Sequence, residues 1–277
     1  MADRWRKKAL PAKLGRRRRR LFYIKSAAGA LLLLAVFSGI VTLSQVDGLQ
    51  VKNINISGNS AVIDADLITL AERIGSGKYL FFFPKTNIAL FPRANVAAAI
   101  QENFPQISQV TVATQGLTNL DIGVIERTPV GLWCGRGASE SQALTGRCYF
   151  LDEGGYIYSK APDFSGPVFL RYYGLDGDPA PLRSQYLPPN TFRAMQLFLN
   201  GVRKLGLTPE SFRLRDDVDY ELWLDNGSKI FFSRNQDLNT VLLNLQSVVE
   251  SDIFKGKADT LDYIDLRFGN KVYYKEK

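Results

Sequence analysis

The chain has 277 residues, 45% of them hydrophobic, with a formal net charge of +8, two cysteines and no histidine. This length accommodates an anchor and about two domains, and the hydrophobic content excludes a wholly disordered chain. Without histidine and with so little cysteine, neither a zinc site nor a neutral-pH proton relay is expected, and no cofactor is implied.

The charge is local. Residues 1–25 hold eleven Lys and Arg (Arg4, Arg6, Lys7, Lys8, Lys13, five arginines over 16–20, and Lys25) against one acid, Asp3, which leaves 24 bases and 26 acids for the rest. Residues 26–46, SAAGALLLLAVFSGIVTLSQV, form a 21-residue stretch without a charge. At ~1.5 Å per residue such a stretch crosses a hydrocarbon core of ~30 Å, so it reads as a transmembrane helix. The basic flank keeps residues 1–25 in the cytoplasm as a tail and sends the C-terminal bulk across, with Phe22 and Tyr23 at the inner interface. A cleaved signal peptide would be followed by an A-x-A-like site, which VTLSQVDG does not offer. An RNA-binding arm needs no apolar stretch behind it, so nucleic acid is not an expected partner.

Beyond the anchor, VKNINIS alternates as a strand and ends at Gly58-Asn59. In IDADLITLAERI, Ile63, Leu67, Leu70, Ala71 and Ile74 recur at helical spacing, with Gly75 as the expected stop. A second helix is expected from near Pro92, with Val96, Ala99, Ile100 and Phe104 on one face. Between the two, the aromatic run of GKYLFFFPKTN is expected to pack beneath the helices. ISQVTVAT and NLDIGVIER then read as two strands joined through Gly116.

From Thr128 onward strand-like pieces dominate: VGLWC, CYFLD, GYIYS, PVFLRYYG, YELWLD, KIFFS, YIDLRF and KVYYK. Two helical stripes interrupt them, Phe192, Met195, Leu199, Val202 and Leu205, then Leu238, Val241, Leu242, Leu245 and Val248. The expected fold class is α+β, with a domain boundary near Arg127 and Pro129. If VGLWC and CYFLD pair as a hairpin, Cys134 and Cys148 can meet in a disulfide, which an extracytoplasmic location permits. In the chain-entropy model the bridge contributes on the order of 3 kcal/mol. The other reading of the pair is two free, partly buried thiols.

Catalytic constellations are thin. Ser76-Gly77-Lys78 lacks the hydroxyl residue that completes a phosphate loop, and neither Ser-x-x-Lys nor Gly-x-Ser-x-Gly occurs. Asp216, Asp217 and Asp219 precede a strand and are expected to be solvated. An enzyme is not expected, nor a small-molecule substrate. The last two strands flank Gly269-Asn270, a two-residue hairpin turn. A strict two-residue register puts Asp265 and Arg267 on one face with Val272 and Tyr274, and Ile264, Leu266 and Phe268 on the other. The final strand is expected to be a sheet edge able to accept a partner strand.

Taken in order, the basic N-terminus, the single anchor, a first domain running from INISGN to IGVIERTPVGLW, the middle LDEGGYIY and the terminal YIDLRFGNKVYYK resemble the FtsQ/DivIB cell-division proteins. The resemblance implies that residues 49–127 form a polypeptide-transport-associated (POTRA) domain meeting other division proteins, and that residues 128–277 form the β domain that binds FtsB and FtsL. It implies a non-enzymatic scaffold in the cytoplasmic (inner) membrane at the division septum. Carried onto matching positions, it singles out Arg267, Phe268, Val272 and Tyr274 as partner-binding residues. The insert bracketed by Cys134 and Cys148 departs from the family pattern. The alternative function is an envelope polypeptide-transport or chaperone POTRA module.

Overall fold

Arginine, lysine, leucine and alanine are all good helix formers, and from residue 12 to residue 44 no proline interrupts them. The computed structural model accordingly carries the first helix, α1 (Ala12–Ser44), back through the basic run, well before the uncharged stretch begins. Residues 12–135, 148–174, 182–215, 219–251, 254, 260–269 and 271–277 are described. Within α1, Arg18–Ser44 is long and apolar enough to cross a membrane, and its apolar 18-residue stretch is not buried inside the protein. The helix ends at Ser44, where its orphan carbonyl accepts bonds from the side-chain amides of Gln50 (2.8 Å) and Asn87 (2.9 Å).

The architecture is α+β, and the chain divides into two compact units, Met1–Asn103 with Gln109–Ile125, and Phe104–Ser108 with Glu126–Lys277. The first unit contains α1, then β1 (Asn53–Ser57), α2 (Asp64–Gly75), β2 (Lys78–Tyr79), β3 (Phe83–Pro84), α3 (Arg93–Asn103), β4 (Ile107–Gln115) and β5 (Asn119–Glu126), the strand β4 beginning in residues of the second unit. Its main sheet has the order β1-β5-β4, with β1 parallel to β5 and Ile54 and Ile56 opposite Leu120 and Ile122. Alternation along β5 buries Leu120, Ile122 and Val124, while the helices bury Leu67, Leu70, Ala71, Val96 and Ile100. Ile63 departs from expectation: it precedes α2 in extended conformation and is exposed, because the helix starts only at Asp64. Gly75 closes α2 from within. A Cβ there would lie 2.5 Å from Cε2 of the Phe91 ring, so glycine is what lets the ring in.

The aromatic run after α2 is a second correction. Instead of lying beneath the helices, Leu80, Phe81 and Phe82 are exposed on a short hairpin of β2 and β3. Periodicity gives no instruction for a short continuous apolar run, and here it contacts α1.

The second unit is built on one ten-stranded sheet, in the order β10-β8-β7-β6-β9-β11-β12-β13-β14-β15. Its elements are β6 (Gly131–Trp133), β7 (Tyr149–Leu151), β8 (Tyr156–Lys160), β9 (Arg171–Tyr173), β10 (Ser184–Gln185), α4 (Pro189–Lys204), β11 (Pro209–Leu214), β12 (Asp219–Leu224), β13 (Lys229–Ser233), α5 (Leu238–Val249), β14 (Leu261–Phe268) and β15 (Lys271–Glu276). The apolar stripes of α4 (Phe192, Met195, Leu199, Val202) and α5 (Val241, Leu245, Val248) form one buried cluster with Phe212, Leu222, Phe232, Ile264 and Leu266 of the sheet. Each large side chain so buried contributes roughly 1.5–3 kcal/mol. The helices approach closely at Gly201, where a Cβ would meet Cδ2 of Leu242 at 2.3 Å. The other sheet face carries a cation–aromatic ladder, with Arg213 between Tyr173 (5.1 Å) and Trp223 (4.6 Å), and Lys229 at 4.3 Å from Trp223.

The hairpin of β6 and β7 places Gly131, Leu132 and Trp133 opposite Leu151, Phe150 and Tyr149. One step further, Cys134 and Cys148 are joined by a disulfide with Cα atoms 4.2 Å apart, and the insert at 136–147 lies outside the described residues. At the start of the unit, Arg127 pairs with Asp152, donates to the Pro105 carbonyl at 3.0 Å and covers the Tyr156 ring at 4.3 Å. Asp152 in turn accepts the Gly154 and Tyr156 amides, both at 2.9 Å, which closes the turn between β7 and β8.

Candidate partner-binding edge

Strand β15 is the last strand of the large sheet, bonded on one side to β14; among the described residues no strand pairs with its other side. An edge of this kind presents a row of backbone donors and acceptors free to pair with another chain.

The register of the final hairpin differs from a strict two-residue extrapolation. Phe268 stands opposite Lys271, as a two-residue turn requires, and Gly269 has a φ of +68°; Asn270 lies outside the described residues. Asp265, however, stands opposite Tyr273 and Ile264 opposite Tyr274, so a bulge on β14 absorbs one extra residue between Asp265 and Phe268. A one-residue shift exchanges faces. Val272 and Tyr274 therefore share the core face with Ile264, while Tyr273 joins Asp265 on the opposite face.

The four residues singled out by the resemblance consequently sit in different settings. Val272 is half-buried and packs on the core cluster. Tyr274 is 45% exposed and sets its ring edge-on to Phe254 at 4.5 Å, a buried residue that anchors the strand from below. Phe268 is 54% exposed because the bulge turns it away from the core, and its ring meets Tyr273 edge-on at 5.2 Å. Tyr273, which the sequence reading omitted, is itself 50% exposed. Phe268, Tyr273 and Tyr274 thus supply the apolar surface of this edge.

Arg267 has another task. Its guanidinium donates to both carboxylate oxygens of Asp265 (Nε 2.9 Å, Nη2 2.6 Å) and to Asp219 (Nη1 2.7 Å), and lies 5.5 Å from the Phe231 ring and 5.7 Å from the Phe268 ring. The bonds it donates to Asp265 and then to Asp219 push its pKa above the already high arginine value. Asp219, expected to be solvated, is therefore half of a clasp; Asp216 and Asp217 lie outside the described residues. Arg267 positions the hairpin through internal bonds, with its charge already matched inside the chain. Toward the far end of the strand, the hydrogen bond between Lys275 and Asp262 at 2.9 Å lowers the carboxyl pKa and raises that of the amine.

The unit also has a cleft of about 450 Å³ between α4 and α5, lined by Phe198, Leu242, Tyr220, Asn190 and Arg234. It lies on the helix side of the sheet, and its lining residue Gln236 donates to the Leu266 carbonyl of β14 at 2.9 Å. No family model and no curated protein sequence matches this chain.

Proposed function

We propose that the protein is a membrane-anchored, non-enzymatic scaffold of the bacterial division machinery, of the FtsQ/DivIB kind, that receives FtsB- and FtsL-like partners on strand β15. In this reading α1 spans the inner membrane with its basic end in the cytoplasm, because the charge bias beside the apolar stretch sets orientation. The first unit serves as the POTRA domain, which its strand, helix, helix, strand, strand core supports, and it meets other division proteins at the septum. The observation that carries the proposal is the exposed edge of β15, stiffened from within by Arg267, Asp265 and Asp219 and flanked by Phe268, Tyr273 and Tyr274. A rigid edge needs little ordering on binding, so the backbone of an incoming strand supplies affinity and the aromatic flanks supply selectivity.

The test is capture of small coiled-coil membrane proteins by the full chain, followed by affinity measurement on variants. Tyr273→Ala with Tyr274→Ala should weaken binding about tenfold or more, since exposed aromatics at an interface centre commonly contribute 1–2 kcal/mol or more. Unchanged affinity with an intact fold overturns the site. A second reading draws on β4, a nine-residue strand at the edge of the small sheet, which suits capture of extended polypeptide by a transport or chaperone module. Localisation separates the two: recruitment to midcell supports division, and uniform envelope distribution supports transport.

A further inference from the structure

The hairpin of β2 and β3 does something unusual with its turn. Lys78 lies opposite Pro84 and Tyr79 opposite Phe83, the Phe82 amide donates to the Tyr79 carbonyl at 3.1 Å, and the Lys85 amide to the Gly77 carbonyl at 3.0 Å. At the tip Leu80 and Phe81 both take left-handed backbone conformations, with φ of +47° and +66°. Turns with two such residues are the province of Asn-Gly, because a side chain crowds the backbone there. Two large apolar residues in that position cost conformational energy, and in water their exposure costs more. Phe81 is 91% exposed and Leu80 77%. A loop facing water gains nothing from this combination.

The position of the tip explains it. The rings of Phe82 and Phe83 lie 5.7 and 6.1 Å from the ring of Phe37 in α1, and the Gln45 side-chain amide donates to the Phe82 carbonyl at 3.2 Å. With Lys25 at one boundary, ~30 Å of hydrocarbon at ~1.5 Å per residue ends near Gln45. Phe37 then lies ~12 Å inside that boundary, so the aromatic contact falls on the hydrocarbon side.

We infer that residues 79–82 insert into the bilayer leaflet on the domain side of the membrane, with lipid acyl chains around Leu80 and Phe81. This rests on the reading of α1 as the membrane span. Insertion of roughly 5–10 Å, the depth that interfacial apolar groups reach, brings the tip alongside this part of α1. Tyr79 takes the headgroup level, and Lys78 and Lys85 at the base of the hairpin face lipid phosphates. Within the inserted residues, the Phe82 amide is bonded to the Tyr79 carbonyl and the Phe82 carbonyl accepts from Gln45, which satisfies groups that lipid cannot. Together, helix and tip hold the first unit at two points, which fixes its face toward the bilayer and stops free rotation about α1.

The test uses the full chain in vesicles of phosphatidylethanolamine and phosphatidylglycerol containing nitroxide-labelled lipid. A nitrobenzoxadiazole label is placed through Phe81→Cys, Leu33→Cys in α1 or Leu117→Cys in the exposed turn between β4 and β5, with the native disulfide left oxidised. The Phe81→Cys label should emit at shorter wavelength and be quenched as strongly as the Leu33→Cys label, while the Leu117→Cys label is neither shifted nor quenched. A Phe81→Cys label that behaves like Leu117→Cys, with Leu33→Cys quenched, overturns the insertion and leaves the span intact. An unquenched Leu33→Cys label overturns the span, and the inference with it.

Discussion

The hairpin of β2 and β3 and the hairpin of β14 and β15 both expose aromatic rings, but they are held in different ways. The terminal hairpin has a core face, with Ile264, Leu266 and Val272 on the buried cluster, and a clasp of Arg267, Asp265 and Asp219 on the other face. The tip hairpin is two residue pairs long, carries strained backbone at Leu80 and Phe81, and leans on α1 through Phe82 and Phe83. One presents a surface made rigid by its own unit, suited to a protein strand. The other presents apolar bulk beside a helix long and apolar enough to cross a membrane, suited to lipid. Exposed aromatic residues thus acquire different meanings from what stands behind them.

The largest expected effect sets the baseline against which the hairpins are compared. Burial pushes the Tyr158 hydroxyl up to about 12, and burial likewise raises Tyr172, Tyr186 and Tyr220, all within the body of the second unit. A folded-state value above the ordinary tyrosine value of about 10 means that the contribution is complete below about pH 10 and is lost as pH rises through about 12. With no histidine in the chain, the stability of this unit should stay nearly level around neutrality and collapse in that alkaline window, as circular dichroism at stepped pH would show.

Next comes the clasp. Arg267→Ala leaves the buried Asp265 without its fork and Asp219 without its partner, so about 2–3 kcal/mol should be lost, read as a lower denaturant midpoint and faster amide exchange along β14 and β15. Loss of partner binding without loss of stability would instead make Arg267 a direct contact. The tip hairpin should respond in the opposite sense. Read out of lipid, where no acyl chains surround the tip, Leu80→Asn with Phe81→Gly removes the left-handed strain and should slow exchange of the Phe82 and Lys85 amides, equivalent to a gain of about 1–2 kcal/mol in the local opening free energy. A local loss would mean that the tip residues support their own hairpin, and the contrast fails. The smallest effect belongs to Lys275→Ala, which breaks a solvent-screened pair with Asp262 and should leave the denaturant midpoint unchanged.

The helices of both units were legible because apolar residues at helical spacing have one reading, as along Phe192, Met195, Leu199 and Val202. The place where Cys134 meets Cys148 was legible too, since two strand-like pieces bracket it. The tip was not: a run such as Leu80 to Phe83 is equally apolar whether it packs beneath helices or stands exposed beside α1, and only the ring contacts of Phe82 and Phe83 with Phe37 separate the two. The bulge was hidden because residues 263–268 alternate without a flaw, and the signal that breaks the alternation is the pairing of Arg267 with Asp219, 48 residues away in sequence. The strand β11 was missed because its opening Pro209 and Glu210 lack strand character.

The central claim is that β15 is an acceptor edge. Hydrogen exchange of the full chain with and without an FtsB-like partner tests it most directly. The account predicts new protection of alternate amides along Lys271–Glu276, the pattern of a strand pairing on one side, with the edges of the small sheet unchanged. Protection of β4 or β1 with β15 left unchanged would contradict it.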